Sequence, residues 1–163
     1  MIVYHGSTEI IKNPDVVHSK KYLDFGRGFY ITTFENQAKK WAVRKGMRQK
    51  KTAIVNVYEL SEEWSGFRVL SFEKENEKWL DFVCGCRKGQ PLNAEYDIVI
   101  GNVADDDVFK TVDMYFRGLW DKEKVLGELR YYKMNNQICI VNQETLNRLI
   151  TFKRAYEVKD HGR

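Results

Sequence analysis

Three short stretches set chemically capable side chains beside glycine or at the mouth of an apolar run. The first is His5-Gly6-Ser7. An imidazole at a strand end can donate to a sugar hydroxyl, and Gly6 lets backbone N–H and C=O groups approach a planar carboxamide. The second is Phe25-Gly26-Arg27-Gly28-Phe29-Tyr30, whose glycines permit an unusual turn. There Arg27 offers a guanidinium to a phosphate and Tyr30 offers a ring face to a heterocycle such as nicotinamide. The third is Asn136-Gln137-Ile138-Cys139-Ile140, in which a polar side chain opens an otherwise apolar strand. Each stretch also has a plain structural reading: a satisfied turn histidine, a hairpin loop with core aromatics, and a strand-entry residue capping an edge. Cys84-Gly85-Cys86 suggests a metal at first sight. Zinc, however, wants about four ligands at suitable spacing, and His5, His18 and His161 supply no second cluster. Small buried thiols near a helix end are the better reading, with no metal expected.

The elements that must position these residues follow from periodicity. Met1 to Tyr4 reads as a buried first strand stopping at the His5 turn, and Phe29 to Thr33 as a second strand fed by the glycine loop. Ala38, Trp41 and Ala42 recur at helical spacing from Glu35 to Lys45, with Gly46 as the stop. Ala53 to Leu60, Phe67 to Phe72, Tyr96 to Gly101 and Ile138 to Val141 read as strands. Asn76 to Val83 reads as a helix; a long helical region follows the carboxylates Asp105, Asp106 and Asp107, and a second helix follows Asp121. Asn142 starts a last helix, Arg154 to Val158 suggests one more strand, and Lys159 to Arg163 reads as a solvated tail.

The 163 residues suit one domain, 1–158, with a core large enough to need neither disulfide nor structural metal. Hydrophobic residues at 43% and charged residues at 31% are an ordinary globular balance, which excludes disordered and collagen-like classes. Three cysteines, an odd number without an export signal, point to reduced thiols and a cytoplasmic location. No apolar run reaches the roughly 18 residues that would span a bilayer, so no membrane is expected. The net charge of +4 permits contact with nucleic acid without announcing it.

The order of the three stretches resembles the His-Tyr-Glu arrangement of the diphtheria-toxin-like and poly-ADP-ribosyltransferase superfamily. More closely, Tyr4-His5-Gly6-Ser7, Asp24-Phe25-Gly26-Arg27-Gly28-Phe29-Tyr30-Ile31-Thr32, Gln37-Ala38 with Trp41-Ala42, and Tyr96 to Gly101 with Val103-Ala104-Asp105-Asp106 resemble the bacterial domain-of-unknown-function family numbered 3990. The resemblance implies an α+β fold of the ADP-ribosyltransferase type, with split antiparallel and mixed sheets around an NAD cleft and flanking helices. It implies His5, Tyr30 and Gln137 as the catalytic set. Binding to NAD, as co-substrate, would fall to His5, Gly6, Ser7, Phe25, Gly26, Arg27, Gly28 and Tyr30. The activity implied is mono-ADP-ribosyl transfer to a protein or nucleic-acid acceptor, in a toxin often paired with a small neutralising partner. Gln137 stands where the superfamily has glutamate. An amide can accept a hydrogen bond from a ribose hydroxyl but brings no negative charge. Three alternatives follow: a carboxylate from elsewhere, Asp105, Asp106 or Glu144, completes the site; the domain binds NAD or ADP-ribose without turnover; or the chain is an RNA 2′-phosphotransferase relative. The last lacks the additional arginine and histidine such a site usually carries.

Overall fold

The structure is a computed structural model, described over residues 1–20, 22–104, 106–129 and 135–159. Strand β1 (Ile2–Ser7) pairs antiparallel with β3 (Ile54–Leu60), and β3 with β7 (Ile150–Glu157), giving a three-stranded sheet in the order β1-β3-β7. A second sheet of four strands runs β2 (Phe29–Ile31), β6 (Gln137–Ile140), β5 (Ile98–Gly101) and β4 (Val69–Ser71), antiparallel except for the parallel β4 and β5 pair. Among the described residues one backbone bridge joins the sheets: Tyr4 N–H donates to Thr32 C=O at 2.8 Å and Thr32 N–H to Tyr4 C=O at 3.0 Å. Five helices are described: α1 (Glu35–Gln49), α2 (Glu77–Arg87), α3 (Asp106–Phe116), α4 (Lys122–Leu129) and α5 (Gln143–Leu149). The architecture is therefore mixed α+β with two sheets.

The layers follow from the faces of β3. Val55 and Val57 turn to one side, where they pack with Ala38 and Ala42 of α1. Tyr58 and Leu60 turn to the other, where with Val3 they meet Phe29, Ile31, Ile138 and Ile140 of the second sheet and Leu146 and Leu149 of α5. This alternation is the period of two that a strand imposes, and the shift of register between Val57 and Tyr58 adds a local irregularity to it. On the far side of the second sheet, Val99 and Cys139 pack against Trp79 and Val83 of α2, Val108 and Val112 of α3, and Val125 of α4. Asparagines start two helices: the Asn76 side chain accepts from Trp79 N–H at 3.0 Å and that of Asn142 from Thr145 N–H at 2.9 Å.

Several boundaries differ from the periodicity reading. β1 does not stop at Tyr4; its pairing with β3 carries it through His5 and Gly6 to Ser7. α1 does not stop at Gly46 but runs to Gln49, with Lys50 in the left-handed conformation as its end. The helix tolerates Gly46 because a Cβ there would come within 2.7 Å of the Lys51 carbonyl, so glycine serves the returning chain. α2 continues through Cys84-Gly85-Cys86 to Arg87. β7 begins at Ile150, directly on the end of α5, four residues before the strand read at Arg154. The proposed tail lies outside the described residues from residue 160 onward.

Candidate functional site

A cleft of about 570 Å³ opens where β1, β2, the N-terminal end of β6, the 15–24 loop and α1 meet. This volume lies within the range of ligand pockets, about 300–1,000 Å³. His5, Gly6, Gly28, Tyr30 and Gln137 all line it. Three segments far apart in the chain thus converge on one concavity, because β1 and β2 are bridged at Tyr4 and Thr32 while β6 pairs with β2.

His5 is held on two sides. Its ring stacks on Phe29 at a centroid distance of 4.5 Å and an interplanar angle of 25°, and its Nδ1 lies 2.6 Å from the Tyr30 carbonyl oxygen. A carbonyl can only accept, so Nδ1 carries the proton and Nε2 is left as an acceptor. Burial pushes the imidazole down to about 4, opposed by the Tyr30 carbonyl and assisted by the positive charge of Lys45. The ring is neutral at pH 7. In the neutral ring Nε2 is therefore an acceptor, whereas the sequence reading has His5 as a donor.

Gly6 lines the cleft, but what requires glycine there is the helix. A Cβ would stand 2.7 Å from Ala42 N and 2.9 Å from Trp41 Cβ, so β1 reaches α1 only without a side chain. Gly28 is similarly constrained by Ile140 C=O, 2.7 Å from where its Cβ would be, and its N–H donates to Ser19 Oγ at 3.1 Å. The Tyr30 hydroxyl is fully engaged, accepting from Phe25 N–H at 3.0 Å and donating to Gly26 C=O at 2.5 Å. Burial raises that phenol well above its ordinary value, helped by Cys139 and Asp24. Tyr30 thus fastens the glycine loop with its hydroxyl, packs against the Phe25 and Cys139 cluster, and is one of the residues lining the cleft.

Gln137 is buried, 4% exposed, and its Nε2 donates to Asp24 Oδ2 at 3.0 Å and to Asn102 C=O at 3.4 Å. Both partners are acceptors, which fixes the amide with its NH₂ toward them and Oε1 away. No donor to Oε1 occurs among the described residues.

Four of the expected ligand residues lie elsewhere. Ser7 is buried, its Oγ accepting from Glu9 N–H at 3.4 Å. Phe25 is fully buried against Phe72 and Phe82. Gly26, at φ 77°, forms the turn behind the cleft, where its N–H bonds Leu23 C=O at 3.0 Å. Arg27 is exposed and outside the cleft lining, with its carbonyl accepting from Asn93 Nδ2 at 2.9 Å. Glu144 is an exposed residue of the first turn of α5, away from the cleft. Asp105 and the side chain of Asp106 lie outside the described residues.

The cleft's charged groups come instead from residues the motif reading passed over. Arg44, Lys45 and Arg48 of α1 line one wall together with Lys20. Their spacing on one helix face was the available signal. Burial lowers the Lys45 ammonium; Glu9 opposes this, while Arg48, Lys20 and Lys51 add to it. On the opposite side stands Asp24, 9% exposed, which accepts from Arg87 Nε at 3.0 Å and Arg87 Nη2 at 2.5 Å on Oδ1, and from Ala104 N–H at 3.0 Å on Oδ2.

Residues 1–152 match the family described as Protein of unknown function (DUF3990). The chain belongs to this family. No curated protein matches it. The DUF3990 match takes in every residue lining the cleft, and it ends inside β7. Cys84, Cys86 and Cys139 are free and buried, with their thiols pushed up by burial to about 11, 12 and 12. No group of three or more histidine, cysteine or acidic residues able to hold a metal occurs among the described residues. Nor is any described helix long and apolar enough to cross a membrane.

Proposed function

We propose that this DUF3990 chain is an NAD⁺-dependent mono-ADP-ribosyltransferase with an ADP-ribosyltransferase-like fold. The observation that carries the reading is the convergence of His5, Gly6, Tyr30 and Gln137 on one cleft of cofactor size. His5 Nε2 accepts from a hydroxyl of the adenosine ribose. The Gly6 backbone meets the carboxamide, and the Tyr30 ring lies against nicotinamide. Lys45 and Arg48 take the pyrophosphate in place of Arg27. Gln137 Oε1 accepts from a hydroxyl of the nicotinamide ribose.

In the transfer itself the C1′–N bond breaks and its electron pair leaves with neutral nicotinamide. An acceptor lone pair forms the new bond at C1′, and the acceptor's proton passes to solvent. Because Gln137 is neutral, the residues act mainly by positioning and by dipoles aimed at the sugar. The proposal extends to a cytoplasmic toxin restrained by a small partner protein, as the resemblance implies.

A second reading, a module that binds NAD or ADP-ribose without turnover, is favoured by the amide at Gln137. Incubation with NAD⁺ labelled in its adenylate separates the two. Label on a cell-extract macromolecule with release of nicotinamide is the expected result. Calorimetric binding of NAD⁺ with neither label transfer nor nicotinamide selects the binding module, and absence of binding removes both.

A further inference from the structure

We infer that Asp24 is the working carboxylate of the cleft, a positioning residue that acts through Gln137. The inference rests on the ribose reading above for its ligand, while the residue geometry stands apart from that reading. Asp24 accepts four N–H bonds: two from Arg87 on Oδ1, and one each from Ala104 and Gln137 on Oδ2. Every partner is a donor. Only a group with acceptors on both ends satisfies such a set, so asparagine in either orientation sets an NH₂ against another N–H.

Of the four bonds, that to Gln137 has a consequence for the cleft. It holds the amide with Nε2 inward, and the Asn102 carbonyl at 3.4 Å enforces the same orientation. Oε1 is thereby presented away from Asp24 with no donor among the described residues. A carboxylate on the N–H side of an amide draws the proton toward itself and leaves more electron density on the oxygen, a cooperative gain of about 10–30% per bond. Arg87 balances the charge of Asp24, so the cleft presents an ion-paired carboxylate and a polarised amide rather than a bare anion. The same contact explains glutamine at this position. A glutamate would set a second carboxylate about 3 Å from Asp24 Oδ2, where two like charges cannot both ionise easily.

A double-mutant cycle on nicotinamide release tests the coupling. Asp24→Asn and Gln137→Ala each should lower kcat by roughly tenfold to a hundredfold with KM for NAD⁺ little changed, and the pair together should lose no more than the worse single variant. Additive losses, or a rise in KM alone, overturn the inference. Asp24→Asn also disturbs Arg87, so Gln137→Glu serves as a second variant that leaves Asp24 intact. The expected result is slower turnover; a folded Gln137→Glu protein faster than the parent overturns the inference. Should the unaltered protein neither bind nor cleave NAD⁺, it is the functional reading that fails. Asp24 is then judged by the Gln137 side-chain amide in an NMR spectrum. A downfield, exchange-protected Nε2–H that collapses in Asp24→Asn upholds the coupling, and a free-amide resonance in the unaltered protein refutes it.

Discussion

At the scale of single residues, His5 and Gly6 make opposite demands on the same strand. His5 is a basic group depressed from 6.5 to about 4 by burial, so the folded protein binds fewer protons than the unfolded chain between those values. The contribution is complete above pH 6.5 and is lost as pH falls toward 4, amounting to roughly 3 kcal/mol at 1.36 kcal/mol per unit. Urea midpoints measured from pH 7 to pH 4.5 should fall, and His5→Asn should flatten the part of the slope that lies above the carboxylate range. Equal slopes for the two proteins would show that His5 is not held neutral. Nucleotide affinity should hold through most of that window and fall only as pH nears 4, where the folded protein's His5 takes up its proton and Nε2 turns from acceptor to donor. Gly6 has no titration but no tolerance either: a methyl group would press on Ala42 N and Trp41 Cβ, both parts of a packed helix. Gly6→Ala should therefore cost about 3 kcal/mol of stability in a denaturant titration, whereas a surface glycine with open space, such as Gly118 at φ 74°, responds through backbone strain alone.

Elements differ in how far the sequence foretells them. The β-branched run of β3, the aromatic run of β2 and the asparagine caps of α2 and α5 carry their reasons locally, so they were legible. Gly46 reads as a helix stop, but its small size serves a contact with Lys51 outside the helix, which no periodicity reports. The candidate site divides in the same way. His5 and Gln137 read as strand-end residues and Tyr30 as the aromatic after a glycine loop; β1 in fact runs past His5 and Tyr30 sits mid-strand, and the three share the cleft because β2 lies between β1 and β6. Arg27 looked suitable beside its glycines, yet a loop's sequence does not say which way its side chain leaves, and it leaves outward. Asp24, adjacent to that loop, was legible only as part of a motif, since its partners Arg87, Ala104 and Gln137 are all distant in sequence. The cations of α1 belong to the element scale. Lys45 and Arg48 line the cleft, and Arg48 and Lys20 add to the burial that lowers the Lys45 ammonium, a crowding of like charge that an anionic ligand relieves. Calorimetry with ADP-ribose should show affinity falling as salt rises. Arg48→Ala should weaken binding by roughly tenfold, the size of one charge-assisted hydrogen bond, and should reduce the salt slope. An unchanged affinity in that variant would remove α1 from the ligand's environment.

The whole molecule is two sheets whose backbones meet in one described bridge, and the cleft lies beside that junction. β1 brings His5 and Gly6 from the three-stranded sheet; β2 and β6 bring Tyr30 and Gln137 from the four-stranded one. The side-chain core between the sheets, with Val3 and Tyr58 on one side and Ile31 and Ile140 on the other, is extensive, so the sheets stay packed without many bonds between their backbones. The bonds at Tyr4 and Thr32 lie at the edge of both sheets, where opening requires less than global unfolding. A ligand touching His5 on one side and Gln137 on the other would be lost when that junction parts, so binding must oppose the opening. Occupancy at a hundredfold excess over Kd should therefore slow exchange limited by this opening by about a hundredfold, equivalent to roughly 2.7 kcal/mol. Native-state hydrogen exchange with and without NAD⁺ reads this directly at the Tyr4 and Thr32 amides. Both should slow together, while amides at the remote β4 and β5 edge keep their rates. Protection spread evenly over the two sheets would instead mean that the ligand stabilises the folded state as a whole. Protection at one of the two amides alone would place the ligand on a single sheet and separate His5 from Gln137 in its recognition.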